Sequence, residues 1–206
     1  MDASLLPMQI AQIVPCTEAE GPGRRFALWF QGCPLRCPGC CNPEFLPFKG
    51  GETWTVGKML AEVLQVQKET GIEGITLLGG EPFAHALPAS ELASQLRSHG
   101  LSVMIFSGYV LEDLEKNHEP GIQKLLQHTD ILVDGPYLRE HPDTSRRWIG
   151  STNQRIHFLS DRYHEEDPCW QQKNTLEIRL DSSGLSVNGF PSTKAVEFWK
   201  GKFHRV

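Results

Sequence analysis

The sequence has no long hydrophobic run. Nothing in its 206 residues approaches the ~18 consecutive apolar residues of a membrane-spanning helix. It also lacks a basic excess. Lys and Arg number 20 against 25 Asp and Glu, a formal net charge of -5, so there is no electrostatic ground for a nucleic-acid or anionic-membrane partner. No internal repeat or low-complexity segment is present. The first residues, MDASLLPMQIAQ, carry an acid at Asp2 and no positive stretch leading into an apolar one, so no secretory signal is expected. The expected compartment is the cytoplasm, where thiols stay reduced. The six cysteines then point to metal or redox chemistry rather than to a disulfide scaffold. The eight histidines are scattered and read as core or surface residues, and no Ser–His–Asp triad or paired-carboxylate site is called for.

What is present is a soluble globular composition, 39% hydrophobic and 22% charged, long enough for one well-buried core and too short for two ordinary domains. Short apolar runs alternate with helical patterns. Phe26–Phe30 (FALWF) is continuously apolar, as a strand buried on both faces would be. Ile75–Leu78, Leu101–Phe106, Asp130–Val133 and Arg155–Leu159 look similar, and Met8–Val14 adds an extra strand at the front. Between them, Val56, Met59, Leu60, Val63 and Leu64 make one helical stripe, with Thr55 as N-cap and Gly71 just past the end. Ala89, Leu92, Ala93 and Leu96 repeat the pattern before Gly100; VLEDLEKN and GIQKLLQH are shorter helical segments.

Such alternation predicts an α/β fold, an incomplete β/α barrel of parallel strands, since a closed eight-stranded barrel needs ~250 residues. Toward the C-terminus, NTLEIRL and LSVNGF flank the turn composition DSSG (Asp181–Gly184) and predict a hairpin, with AVEFWKGKF after it. The expected organisation is a partial barrel over residues 1–162 and a C-terminal extension over 163–206, packed on the same domain.

Four of the cysteines fall within nine residues, in QGCPLRCPGCCNP directly after the FALWF strand. Cys33, Cys37 and Cys40 are spaced C-x3-C-x2-C. Structural zinc usually takes four ligands, and Cys41 is a poor fourth because consecutive side chains diverge. An iron–sulfur cluster is the other sink for soft thiolates, and three thiolates on a cubane leave one iron free for substrate or cofactor. Iron–sulfur, zinc and uncommitted thiols all remain open on spacing alone. Pro34, Pro38 and Pro43 stiffen the loop, while Gly32 and Gly39 let backbone approach a bulky inorganic core. Cys16 and Cys169, far from the loop, read as ordinary thiols.

EGPGRRFALWFQGCPLRCPGCCNPE, ITLLGGEP, FSGY, DILVDGPY and WIGSTNQR, in that order, resemble the radical S-adenosylmethionine (radical SAM) enzymes. Within that superfamily they look like the activating enzymes of glycyl-radical proteins, above all the anaerobic ribonucleotide reductase activases. The resemblance implies that Cys33, Cys37 and Cys40 hold a [4Fe–4S] cluster whose open iron is chelated by S-adenosyl-L-methionine (SAM). It implies that Gly79, Gly80 and Glu81 cradle the SAM ammonium, and that Gly39, Cys40 and Cys41 lie against its adenine. Cys41 stands where the family commonly carries an aromatic residue or His, and is expected to pack as a tolerated small side chain. Ser107 and Asp134, at two more strand ends, are weaker candidates for the same edge.

The implied activity is reductive SAM cleavage to a 5′-deoxyadenosyl radical. Its partners would be a glycyl-radical protein as substrate, such as anaerobic ribonucleotide reductase, and a flavodoxin- or ferredoxin-type electron donor. A second reading keeps the chemistry and changes the substrate to a small molecule or peptide, as in 7-carboxy-7-deazaguanine synthases or peptide maturases. A third is a non-enzymatic metal-binding module.

Overall fold

The apolar runs form strands whose two faces are buried against different material. The structure, a computed structural model, describes residues 2–181 and 184–190. Seven strands make one sheet: β1 (Pro7–Thr17), β2 (Arg25–Phe30), β3 (Glu52–Thr55), β4 (Gly74–Leu78), β5 (Ser102–Phe106), β6 (Ile131–Asp134) and β7 (Arg155–Phe158), in the order β3-β1-β2-β4-β5-β6-β7. The central four, β2, β4, β5 and β6, are parallel. The connections between them carry α1 (Val56–Thr70), α2 (Ala86–Ser98), α3 (Leu111–Lys116) and α4 (Pro120–Gln127). The outer three differ from the all-parallel expectation: β1 is antiparallel to β2 and β3, and β7 to β6. The reason is in the connections. A parallel neighbour needs a crossover, usually a helix, that returns the chain to its starting end. Residues 18–24 and 135–154 contain no helix, so the chain turns back at the end it has reached.

Local signals set the helix limits. The Thr55 hydroxyl accepts from Lys58 N at 3.2 Å, and Gly71 closes α1 at φ 66°, its N–H on Gln67 O. Alternation along the strands then divides the core. Phe26, Leu28, Phe30, Ile75 and Leu77 point to the helices and meet Met59, Val63, Leu92 and Leu96, all fully buried. Each such side chain contributes roughly 1.5–3 kcal/mol by leaving water. Residues of opposite parity, Met104, Ile131 and Val133, face away from the helices and pack with Trp148 and Ile149. Among the described residues no helix is long and apolar enough to cross a membrane.

Residues past 157 cover this second, helix-free face. Trp170 makes edge contacts with Trp148 and Phe158, with ring centroids 5.1 and 5.2 Å away. Arg147 donates to Cys169 O and Gln172 Oε1, and Trp148 N to Asn174 Oδ1 at 2.7 Å. The hairpin of β8 (Leu176–Asp181) and β9 (Gly184–Gly189) comes next, as expected. Ser182 and Ser183 of its turn, and the AVEFWKGKF stretch, lie outside the described residues. At the N-terminal ends of the parallel strands, the fully buried Arg25 guanidinium donates to Thr76 Oγ1, Ser102 Oγ and the carbonyls of Pro22, Ile75 and Ser102. Tyr163 joins the same cluster through Ser102.

Glu20, in the β1–β2 connection, ties the hairpin to this end. Its carboxylate accepts the Gly189 N–H at 2.7 Å, while its carbonyl accepts the Thr76 hydroxyl. Burial pushes the Glu20 carboxyl up to about 7, outweighing that hydrogen bond. An acid with a raised folded-state pKa leaves the folded chain holding more protons than the unfolded one between about pH 4.5 and 7. Stability should therefore fall as pH rises through that window, by up to about 3 kcal/mol for this group. Glu20→Gln should remove this group's share of that slope, measured by urea unfolding at a series of pH values.

Candidate functional site

The parallel strands β2, β4, β5 and β6 end on one edge, and each leads into a polar, glycine-rich loop. Gln31 starts the cysteine loop and fixes its far side, donating from Nε2 to the carbonyls of Glu44 and Pro47 at 3.1 and 2.7 Å. Gly32 N donates to Phe45 O and Cys33 N to Leu46 O, so the two arms of the loop lie side by side. His85 caps this corner, its ring stacked on Phe30 and its Nε2 2.9 Å from Gln31 O, a core role as expected for the histidines. Cys33 is buried, Cys37 and Cys40 half-buried, and Cys41 exposed. All six cysteines are free thiols.

The second loop, Gly79-Gly80-Glu81, is hydrogen-bonded to the first, with Glu81 N on Gly32 O at 3.0 Å. Both glycines are required. Gly79 has φ 68° and Gly80 φ 29°, and a Cβ on Gly80 would lie 2.5 Å from Gly32 O and 2.7 Å from Phe30 O. Glu81 is 1% exposed. Its Oε1 accepts from Phe83 N and Ser107 Oγ, both at 3.0 Å, and its Oε2 from Gly108 N at 2.9 Å. Burial raises its carboxyl to about 7 in spite of these three donors. The third loop is closed on the first as well: a Cβ on Gly108 would strike Leu35 of the cysteine loop at 2.5 Å.

Asp134 ends β6, and its carboxylate is occupied by the fold. It accepts Leu111 N at 2.7 Å and Arg155 Nε at 3.0 Å, with His157 Nε2 at 3.1 Å. Burial alone would raise its pKa; the Arg155 bonds carry it below the usual range. Arg155 also chelates Glu112. Asp134 thus has the ordinary loop role, whereas Ser107 stands directly on Glu81. Arg139 was not anticipated from its sequence context. Its stem lies over Gly39, where a Cβ would come within 2.7 Å of Cδ, and a cavity of about 400 Å³ opens there between Pro38, Gly39 and residues 137–141. Only its position shortly after DGPY marks it.

The donor set suits an iron–sulfur cluster. Thiolates are its ligands, and burial raises the Cys33 thiol whereas Cys40 is pulled down to about 6, chiefly by a hydrogen bond from the Cys41 side chain. The same bond pushes Cys41 up. Among the described residues no three His, Cys, Asp or Glu side chains are gathered around a point that would hold a single metal ion. The backbone gives the clearest test of this edge. Gly80→Ala should destabilise the protein by more than about 1 kcal/mol, since its Cβ meets two carbonyls at a positive φ. Urea unfolding would measure it.

Residues 19–157 match the 4Fe-4S single cluster domain family. The chain is 31% identical to the anaerobic ribonucleoside-triphosphate reductase-activating protein of Vibrio cholerae serotype O1, over 73% of this chain and 97% of that one. It is 29% identical to the protein of the same name from Enterobacteria phage T4, over 78% of this chain and 100% of that one. Among solved structures, the QueE protein of Escherichia coli aligns over 50% of this chain and 53% of that one, at TM-score 0.41 and 20% identity. With the family matched over most of its length and an activating protein matched almost whole, the chain belongs to the radical SAM enzymes and is related, within them, to the anaerobic ribonucleotide reductase activases.

Proposed function

We propose that Cys33, Cys37 and Cys40 hold a [4Fe–4S] cluster, that SAM binds its fourth iron, and that the chain activates an anaerobic ribonucleotide reductase by forming a glycyl radical in it. The observation that carries this reading is the direct bond between the cysteine loop and the Gly-Gly-Glu turn, Glu81 N to Gly32 O. It makes one edge of a thiol-rich loop and a buried carboxylate. The same function in the name of relatives matched along nearly their whole length supports the partner. Held by Cys33, Cys37 and Cys40, the cluster with SAM on it would supply, on one-electron reduction, the chemistry for removing a hydrogen atom from the substrate.

The chain's own part is position, charge and exclusion of water. An ionised carboxylate offers about four lone-pair sites, and Phe83, Ser107 and Gly108 use three of those on Glu81. One remains for the SAM ammonium, whose charge would offset the burial that now raises the Glu81 pKa. Gly79 and Gly80 contribute backbone without a side chain in the way. Gly39, Cys40 and Cys41 offer a backbone ledge for adenine, with the Arg139 stem along its margin. A flavodoxin- or ferredoxin-type protein would supply the electron.

Anaerobic reconstitution with iron and sulfide, then assay of 5′-deoxyadenosine and of the electron-spin signal of the reductase, tests the reading. Cys33→Ala, Cys37→Ala and Cys40→Ala should each lose cluster absorbance and slow SAM cleavage more than about 100-fold, some 2.7 kcal/mol of transition-state stabilisation. Cys41→Ala should keep its iron. A reconstituted protein that leaves SAM intact under reductant overturns the activity. One that cleaves SAM but leaves every reductase without a radical overturns the partner.

A further inference from the structure

The connection from β6 to β7 contains no helix, yet it is tied down closely. Three side chains of WIGSTNQR do much of this. Ser151 Oγ accepts Leu138 N at 3.1 Å, Asn153 donates to Pro136 O at 2.8 Å, and Gln154 donates to Gly135 O at 3.1 Å. The Gln154 oxygen in turn accepts Gly150 N and Ser151 N. His141 N donates to Leu138 O and Thr152 N to His141 O, so residues 138–141 form a hydrogen-bonded β-turn with Arg139 as its second residue. This lattice presents Arg139 to the cysteine loop.

The Arg139 stem lies on Gly39. A Cβ there would come within 2.7 Å of Cδ, 3.2 Å of Cβ and 3.3 Å of Cγ. Gly39 stands between Cys37 and Cys40 at φ 75°. The guanidinium carbon is only two bonds past Cδ, so its charge stays within the Debye length of about 8 Å from this loop. Arg139 is exposed and, among the described residues, makes no ion pair, whereas Arg97, Arg146 and Arg155 each hold a carboxylate. The turn is secured by its neighbours, and the fold makes no use of the charge.

The sulfurs already have amides. Leu35 N and Arg36 N, the latter at φ 50°, serve Cys33, and Asn42 N serves Cys40. Glu44 is the acid that opposes the Cys40 thiolate. The potential of an iron–sulfur cluster follows its net charge, the hydrogen bonds to its sulfurs and its exposure. Three thiolates around a [4Fe–4S]2+ core leave one net negative charge, and the electron taken up on reduction adds a second. A fixed cation beside the loop favours the reduced state.

We propose that Arg139 is an electrostatic positioning residue for the cluster. It sets a positive charge against the Cys37–Cys40 arm and raises the potential at which the cluster accepts its electron from a low-potential one-electron donor. The WIGSTNQR segment holds it there. The inference rests on the three-cysteine cluster reading and is independent of the partner.

The test uses the full chain reconstituted with iron and sulfide, without SAM or partner. Absorbance and iron content establish loading. The electron-spin signal of the reduced cluster, at solution potentials fixed with redox mediators, gives the ratio of reduced to oxidised cluster. Arg139→Gln and Arg139→Met keep a stem over Gly39 and lose the charge. Both should load normally and lower that ratio about threefold, a potential about 28 mV more negative at about 59 mV per tenfold change for one electron. That size is what one charge at such a distance exerts at an effective dielectric between that of a surface pair and that of water. Arg139→Lys should restore most of the loss. Raising salt to about 1 M, where the Debye length is about 3 Å, should shrink the difference between the parent and the Gln variant, as an altered loop structure would not. A normal cluster with an unmoved ratio in both uncharged variants, or a Lys variant no different from them, overturns the proposal alone. A parent chain that takes up no cluster overturns the cluster reading, and the proposal with it.

Discussion

The Glu81 carboxylate is the point on which the functional edge depends. It has no charged hydrogen-bonding partner among the described residues; its three donors are two amides and a hydroxyl. Hydrogen bonds to a charged group contribute about 1.5–3 kcal/mol each, while the effective penalty for burying an ion is several kcal/mol. That the carboxyl is raised to about 7 means burial outweighs the donors. The geometry is therefore complete and the charge balance is not. A cation arriving at this edge would meet an acceptor already oriented by two loops, with no reorganisation left to do. The same residue that welds the second and third strand-end loops together is the one with electrostatic capacity to spare.

Asp134, two strands along, shows the contrast. It is also buried at the end of a parallel strand, but Arg155 is bonded to it and its pKa is lowered. A paired carboxylate fixes backbone; an unpaired one retains attraction for a ligand cation. The opposite end of the sheet holds the converse, a buried Arg25 surrounded by hydroxyls and carbonyls. Its many fixed donors close that end, leaving the cysteine edge as the open one.

Much of this was legible in the sequence because it is local. Thr55 and Gly71 delimit α1 by cap chemistry, and the stripe of Val56, Met59 and Val63 is a matter of spacing. The cysteine spacing and the Gly-Gly-Glu turn stood at strand ends whatever the sheet's details. Strand direction was not legible from apolar runs, which read alike in β6 and β7; it lies in the connection, and the helix-free GPYLREHPDTSRRWIGSTNQ was the available signal. Four-residue β3 was too short to show a period. Nor could the partners of Glu81 be named, since Ser107 and Gly108 are 26 and 27 residues away and are brought in only by β4–β5 pairing.

Continuous apolarity in FALWF demanded cover on both faces, and helices supply only one. Met104, Ile131 and Val133, fully buried on the other, are covered by Trp148 and Ile149 together with Tyr163, Cys169, Trp170 and Phe190. The residues past 157 are thus part of the core, and removing them would bare an apolar sheet face. Glu177 and Arg179 hold the hairpin to the β1–β2 connection and to β1, at Glu18 N and Cys16 O, so the cover on this face is fastened at its edge as well as packed at its centre.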